Sequence, residues 1–402
     1  IRYSGKRRFA GPLEFGNGGY IMKRRKISFG ESSGLMLTAF LIVMGLNVIG
    51  SILLSVISVV FAGDDMLRSI TEYVLMLLFQ AAYIGSYFSF KKSRKVRTVY
   101  EIRNKISFLA VCVSVIIAIV TFFGCIGPAY GWELLLEKFH VVSSSELSMG
   151  SVPELILVFV CTTIAAPIGE ELIFRDALLS GMSEKRSVVS CSLMSATCFM
   201  LMHTNPHQTV YQFILGFVAA VTVMRFGSVV AGMIVHSVSN LLAILVSVTK
   251  VGKAADAFYT GIEGNALRFI LLVVVAPVVA ITVIMFVTQV VGKREKRLCP
   301  EKFDRKEDTL LWIDERSRKP IYDINEVPNV SPIETVIIGF DTQTGEPKRI
   351  SRHAYQEMLI KEYTDRELRR KESVRNAALK IYLWMTCILW AVTFAIEAAG
   401  LT

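Results

Sequence analysis

The chain has 402 residues, is 53% apolar and carries a formal charge of +10. The apolar residues gather into runs of about 20 with almost no charge, the length of helix that crosses ~30 Å of hydrocarbon. That distribution excludes an ordinary water-soluble domain, and the basic excess has a membrane explanation rather than a nucleic-acid one.

In chain order, residues 1–34 read as a basic cytoplasmic tail ending in "KRRK" (Lys23–Lys26). Residues 1–21 read as a tag remnant or a mis-set start, because Met22 ahead of "KRRK" is the better beginning. An eight-helix membrane domain is expected over 35–292, with spans at 35–62, 72–90, 107–127, 152–183, 188–204, 209–225, 228–249 and 266–292. Lys91, Lys92, Arg94, Lys95 and Arg97 follow the second span, Lys185 and Arg186 the fourth, Arg225 the sixth, and Lys293, Arg294, Lys296 and Arg297 the eighth. The loops between are poor in Lys and Arg. The 249–265 loop, with Lys250 and Lys253, fits this alternation least well. The alternation predicts a cytoplasmic N-terminus and contact with anionic lipid, and nothing in it calls for nucleic acid.

Residues 293–375 form a polar cytoplasmic insert. Within it, "ETVIIGFDTQTGEPKRI" alternates around a Gly-bearing turn and predicts a hairpin, and a charged helix follows. The insert offers a surface for a cytoplasmic partner. A ninth, C-terminal span is expected in 376–402, at 377–399. The fold class is therefore an all-α polytopic membrane protein of about eight transmembrane helices, with a small α+β insert and a ninth C-terminal transmembrane helix. The seven cysteines (Cys112, Cys125, Cys161, Cys191, Cys198, Cys299 and Cys387) form no disulfide framework and no CxxC metal site.

Charge appears where it is least favourable, in "AAPIGEELIFRDALL" (165–179). A charged group at mid-bilayer costs ~2.5–3.5 kcal/mol on insertion scales unless it meets a partner or a cavity. Glu171 and Arg175 are four apart, in the favourable order for an ion pair on one helical face. Glu170 points about 100° away and is left over. Two further polar groups of residues lie in apolar runs: "FMLMH" with Phe199 and His203, and "HSVSN" with His236 and Asn240. Measured from the cytoplasmic turns at 1.5 Å per residue, Glu170 lies ~22 Å up, His203 ~24 Å, His236 ~13 Å and Asn240 ~19 Å. Modest tilt or stagger brings these groups from three helices together. A glutamate and a histidine flanking a water make a general base. His236 and the Asn240 amide can donate to the oxyanion of a tetrahedral intermediate. The chemistry this describes is direct hydrolysis of a peptide bond.

The three motifs, "EELIFR" (170–175), "FMLMH" (199–203) and "HSVSN" (236–240), resemble the CAAX-protease and bacteriocin-processing family of intramembrane endopeptidases, which includes the prenyl-protein (Ras-converting) protease. The resemblance covers about 150–248. It implies a glutamate-dependent protease without metal or cofactor, acting on a peptide or lipidated protein at the bilayer. It implies that Glu170 and His203 activate water, that His236 and Asn240 form the oxyanion hole, and that Glu171, Arg175 and Phe199 support them. Asp176 departs from the family, whose members often carry glycine after the arginine; its bulk and charge bear on local packing and substrate access. Three other readings compete. Glu170, His203 and His236 can form a His₂Glu zinc set, although HExxH is missing and Asn240 would be idle. The chain can be a scaffold, chaperone or immunity protein that keeps the site for structure. It can also relay protons as a transporter, although matching Gly/Pro-broken helices are missing.

Overall fold

The computed structural model describes residues 25–61, 65–141, 151–183, 186–262, 264–303, 312–318, 320–321, 327–329, 331, 334–340 and 344–400. The expectations for residues 1–21 and for most of the loop around 142–150 lie outside them. Two compact units are present, one within Arg25–Asp308 and Glu357–Thr402, the other with its described part in Thr309–Gln356.

The larger unit is helical. Its helices are α1 (Phe29–Val60), α2 (Asp65–Arg94), α3 (Phe108–Glu137), α4 (Val152–Met182), α5 (Val188–Met202), α6 (Thr209–Phe226), α7 (Val229–Ser247), α8 (Lys250–Ile262), α9 (Ala266–Leu298) and the distal part of α10 (Arg352–Ala398). Eight of these are long and apolar enough to cross a membrane, the last over Ala377–Ala398, and Val188–Met202 is a shorter apolar helix. The chain is thus an all-α polytopic membrane protein.

Local chemistry explains several boundaries. α1 begins earlier than its apolar run because Ser28 accepts from the Glu31 amide while Glu31 reaches back to the Ser28 amide, a complete capping box. Ser151 and Glu154 do the same for α4. α3 continues through Pro128 to Glu137, well past the expected end at 127. There the Trp132 indole donates to the Pro206 carbonyl at 2.8 Å and anchors the extension. The segment expected as a loop at 249–265 contains α8, a short amphipathic helix. Gly227 ends α6 with φ +73°, a left-handed conformation that glycine adopts without a Cβ penalty, and Ser228 caps α7 at once.

α6 is the centre of the bundle. Its apolar window is 61% buried, against 11–39% for the other spans. One side of it sends Ala220, Val223 and Met224 into a cluster with α1, α2, α4, α5 and α10. The other sends Leu215, Val218, Ala219 and Phe226 into a cluster with α3, α7 and α9. Outward-facing Val59, Phe108, Phe286 and Trp384 are exposed in the protein alone, as lipid-facing residues must be. A short parallel pairing of β1 (Arg25–Lys26) with β2 (Val96–Arg97) ties the entry of α1 to the exit of α2.

The smaller unit holds β3 (Trp312–Ile313) against β4 (Pro320–Ile321), and the antiparallel hairpin β5 (Thr335–Phe340) and β6 (Pro347–Ser351). The Gln356 amide both accepts from and donates to Ile313, at 3.0 Å each way. Arg352 grips Glu315 through two bonds of 3.0 and 3.1 Å and Glu334 at 2.6 Å. The Arg352 bonds hold the Glu315 carboxyl below its ordinary range.

At the end of α9, Glu295 is buried and pairs at 2.8 Å with Lys302, whose ammonium also donates to the Lys105 carbonyl at 2.7 Å. Removing one partner of such a pair leaves a buried charge alone and costs about 3–5 kcal/mol. Glu295→Ala is therefore expected to lower the thermal unfolding temperature of the detergent-purified protein by several degrees, with Glu315→Ala, in the other unit, as the milder comparison.

Candidate active site

α4 is not uniform. Its α-helical turn Ala166–Glu171 lies between two π-helical segments, Val160–Ala165 and Leu172–Leu178. A π segment widens the helix and leaves main-chain groups in need of partners. The first segment gets one from α7: the Asn240 amide donates to the Thr162 carbonyl at 2.7 Å. The second contains Arg175 and Asp176, both fully buried.

Glu171 is the most densely engaged of the acids. It is 0% exposed, and its Oε1 lies 3.2 Å from Arg175 Nη1 and 3.2 Å from His236 Nδ1. The expected Glu171–Arg175 pair therefore exists, but it is shared with the histidine of α7. Arg175 continues the chain of contacts. Its Nη2 donates to the Gly216 carbonyl at 3.3 Å, and its guanidinium stacks 4.0 Å from the Phe199 ring centre.

Phe199 joins the two histidines. Its ring centre is 4.8 Å from that of His203 and 5.6 Å from that of His236, edge-on in both cases. His203 is the residue at which α5 ends. Its Nδ1 lies 2.9 Å from the Phe199 carbonyl; since a carbonyl only accepts, Nδ1 carries the proton and Nε2 is the free nitrogen. The chain then leaves through Thr204 at φ +50°, an uncommon conformation for a β-branched residue. Farther back on α5, the Tyr382 hydroxyl of α10 donates to the Cys198 carbonyl at 2.6 Å.

Glu170 sits on the other side of the same turn, 6% exposed. One oxygen, Oε1, accepts from Gln80 Nε2 of α2 at 3.1 Å. The other, Oε2, has no hydrogen bond and lies 4.0 Å from His236 Nε2. That distance is too long for a direct bond and right for an intervening small group. His236 thus lies 4.0 Å from Glu170, and Phe199 packs against both histidines and Arg175. Asn240 lies one turn along α7 from His236, with one amide hydrogen already given to Thr162. Among the described residues, no group of three or more His, Cys, Asp or Glu side chains stands as a set able to hold a metal ion.

Sequence reasoning missed Gln80, whose partner is ninety positions away in the chain. It also missed the surroundings of Asp176. That carboxylate accepts from the Tyr87 hydroxyl and, at 2.8 Å, from Thr98, while Lys91 donates at 2.9 Å to both of those hydroxyls. The charge beside the motif is therefore held in a buried network with α2 and does not enter the site. His207 lies apart, 2.8 Å from Glu133 and 3.4 Å from Glu397, joining α3 to α10.

Glycine makes the close approach of α7 to α4 possible. A Cβ at Gly232 would come within 2.6 Å of both Glu171 Oε2 and Val223 Cγ2. Gly232→Ala must push these groups apart, an overpacking cost of about 1–3 kcal/mol. A lower melting temperature in detergent is expected. Gly85→Ala in α2 meets nothing within 4 Å and is expected to be neutral or mildly stabilising.

Residues 152–242 match the family model for the type II CAAX prenyl endopeptidase, Rce1-like. No curated protein and no solved structure matches the chain. The matched segment, under a quarter of the chain, contains Glu170, Glu171, Arg175, Phe199, His203, His236 and Asn240, and it is consistent with the CAAX-protease and bacteriocin-processing family.

Proposed function

We propose that the chain is a glutamate-dependent, metal-independent intramembrane endopeptidase that hydrolyses a peptide bond in a membrane-associated or lipidated protein or peptide. The observation that carries this is the division of labour between two adjacent acids. Glu171 Oε1 is paired at 3.2 Å with both Arg175 and His236, whereas Glu170 is held through Oε1 by a neutral amide and has its Oε2 unbonded, 4.0 Å from a histidine.

In the proposed reaction a water is held between Glu170 Oε2 and the free Nε2 of His203. Glu170 takes its proton as the oxygen attacks the scissile carbonyl carbon. The resulting oxyanion accepts from His236 Nε2, which donates when the ring carries its second proton, and from the remaining N–H of Asn240. Glu171 supports this role, because its bond to Nδ1 fixes the ring and leaves Nε2 facing the reaction, the logic of an acid orienting an imidazole. Collapse of the intermediate breaks the C–N bond, and the proton on Glu170 passes to the leaving amine. Burial strengthens each of these electrostatic terms relative to water.

In this reading the chain lies in the plasma membrane with a cytoplasmic N-terminus, an orientation that the pattern of basic residues supports. The polar unit around 309–356 is a surface for a cytoplasmic partner in this reading, and removing it while partner binding is unaffected would count against that assignment.

Removing the base is expected to lower cleavage by at least about 10²-fold, the usual worth of a positioned general base. In membranes carrying Glu170→Ala, one or a few membrane proteins should accumulate in an uncleaved form relative to wild type, as read by quantitative proteomics of their termini. An unchanged proteome with a well-folded variant would support a non-catalytic scaffold instead. Activity on the substrate so found should stay within about twofold in the presence of a zinc chelator, because in this reading no metal holds the attacking water.

A further inference from the structure

The matched family segment does not contain every residue that touches its own acid. Gln80, in α2, donates from Nε2 to Glu170 Oε1 at 3.1 Å. Both groups are more than nine-tenths buried. The facing atom must be the amide nitrogen, since only a donor satisfies a carboxylate oxygen. The rest of the arrangement is asymmetric. Gln80 Oε1 has no hydrogen bond, and neither does Glu170 Oε2. A glutamine placed only to join two helices would bond through both ends of its amide, because an unmet polar atom in hydrocarbon is unfavourable. Here only the end that touches Glu170 is used.

The backbone makes room for this contact. A Cβ at Gly169 would lie 2.6 Å from Gln80 Oε1, 3.2 Å from the Gln80 carbonyl and 3.3 Å from Tyr83 Cβ. α2 therefore packs tightly on α4 one residue before the acid, and a side chain at Gly169 would have to displace the Gln80 amide. Three positions on from Gln80, on the same face of α2, the Tyr83 hydroxyl donates to Met202 Sδ at 3.1 Å, next to His203. One face of α2 thus touches the residue beside the site histidine and the site glutamate itself.

We propose that Gln80 is a positioning residue of this site: it occupies Glu170 Oε1 and so turns Oε2 toward His236 and the attacking water. The assignment rests on the endopeptidase reading. Its consequence is a second site wall outside the family segment. A carboxylate without this restraint rotates about its side chain, and its water-facing oxygen is no longer held in the reactive geometry.

The test uses full-length protein purified in detergent, with Gln80→Leu, which keeps bulk and loses the donor, and Gln80→Glu, which keeps the shape and faces Glu170 with oxygen instead of N–H. Cleavage is measured on the peptide spanning the junction that wild-type membranes cut and Glu170→Ala membranes do not. For Gln80→Leu, kcat should fall about 10- to 100-fold, the range of one hydrogen bond to a charged group, with KM changed less than about twofold. Gln80→Glu should fall at least as far, and both should melt within a few degrees of wild type. A second readout does not depend on turnover. Infrared difference spectra assign the Glu170 carboxylate stretch by its loss in Glu170→Gln, and that band should shift in Gln80→Leu. A kcat within twofold of wild type, a rise in KM at constant kcat, or an unmoved carboxylate band would each overturn the proposal. If no junction depends on Glu170, the endopeptidase reading fails by itself, and the infrared band still decides whether Gln80 holds the acid.

Discussion

The carboxylate of Glu171 is the point on which the site depends. It is fully enclosed in a membrane bundle, where a lone charge is not tolerated, so it must be neutralised from more than one direction. Arg175 comes from the next turn of its own helix and His236 from α7. This three-way contact sets the spacing of α4 and α7 and fixes which nitrogen of His236 is spent. It also accounts for the difference between two neighbouring residues of identical chemistry. With Glu171 paired to Arg175 and His236, the 100° step of the helix carries Glu170 to different neighbours, the Gln80 amide and the far nitrogen of His236.

The surrounding structure serves this contact. Two π-helical segments bracket the acidic turn, and each is stabilised by another element. Asn240 satisfies the carbonyl that the first one leaves, and Tyr87 with Thr98 receives the Asp176 that the second one turns away from the site. Arg175 is held against Phe199 and the Gly216 carbonyl, so the central helix α6 and the histidine-bearing helix α5 are tied to the same guanidinium. The helices that supply Gln80, Tyr87 and Tyr382 all lie outside residues 152–242. The matched segment holds the acids and histidines of the proposed reaction, and helices outside it supply hydrogen-bond partners to Glu170, to Asp176 and to the Cys198 carbonyl.

Which parts of this were legible in the sequence follows from the range of each interaction. Spans were legible because apolar length is a local property, and the Glu171–Arg175 pair was legible because four residues make one helical neighbour. The common contact of His203 and His236 with Phe199 was approachable only through estimated depth, which placed His236 lower than the acids it contacts. Gln80 had no such handle: a single amide in an apolar run has no spacing rule that points to a partner in another helix. Asp176 looked disruptive because its partners, Tyr87 and Thr98, belong to α2 and to the residue just past the strand that follows it. Boundaries failed where a cap or a tertiary contact overrode composition, as with Ser28 at α1 and Trp132 in the extension of α3.

The 4.0 Å separation of Glu170 and His236 bears on the proposed reaction. Closing the gap directly would make a buried ion pair and remove the base. Three contacts oppose this. Gln80 holds Glu170 from one side, Glu171 holds His236 from the other, and Gly169 and Gly232 let α2 and α7 approach without filling the space between. In the proposed reaction a water and a substrate carbonyl would meet a carboxylate and an imidazole already oriented by their neighbours, and once the ring carries its second proton little reorganisation is left. In this arrangement the cost of holding charged groups apart in the membrane is met during folding, by the arginine and the hydrogen bonds around it, and the free carboxylate oxygen is what that arrangement preserves.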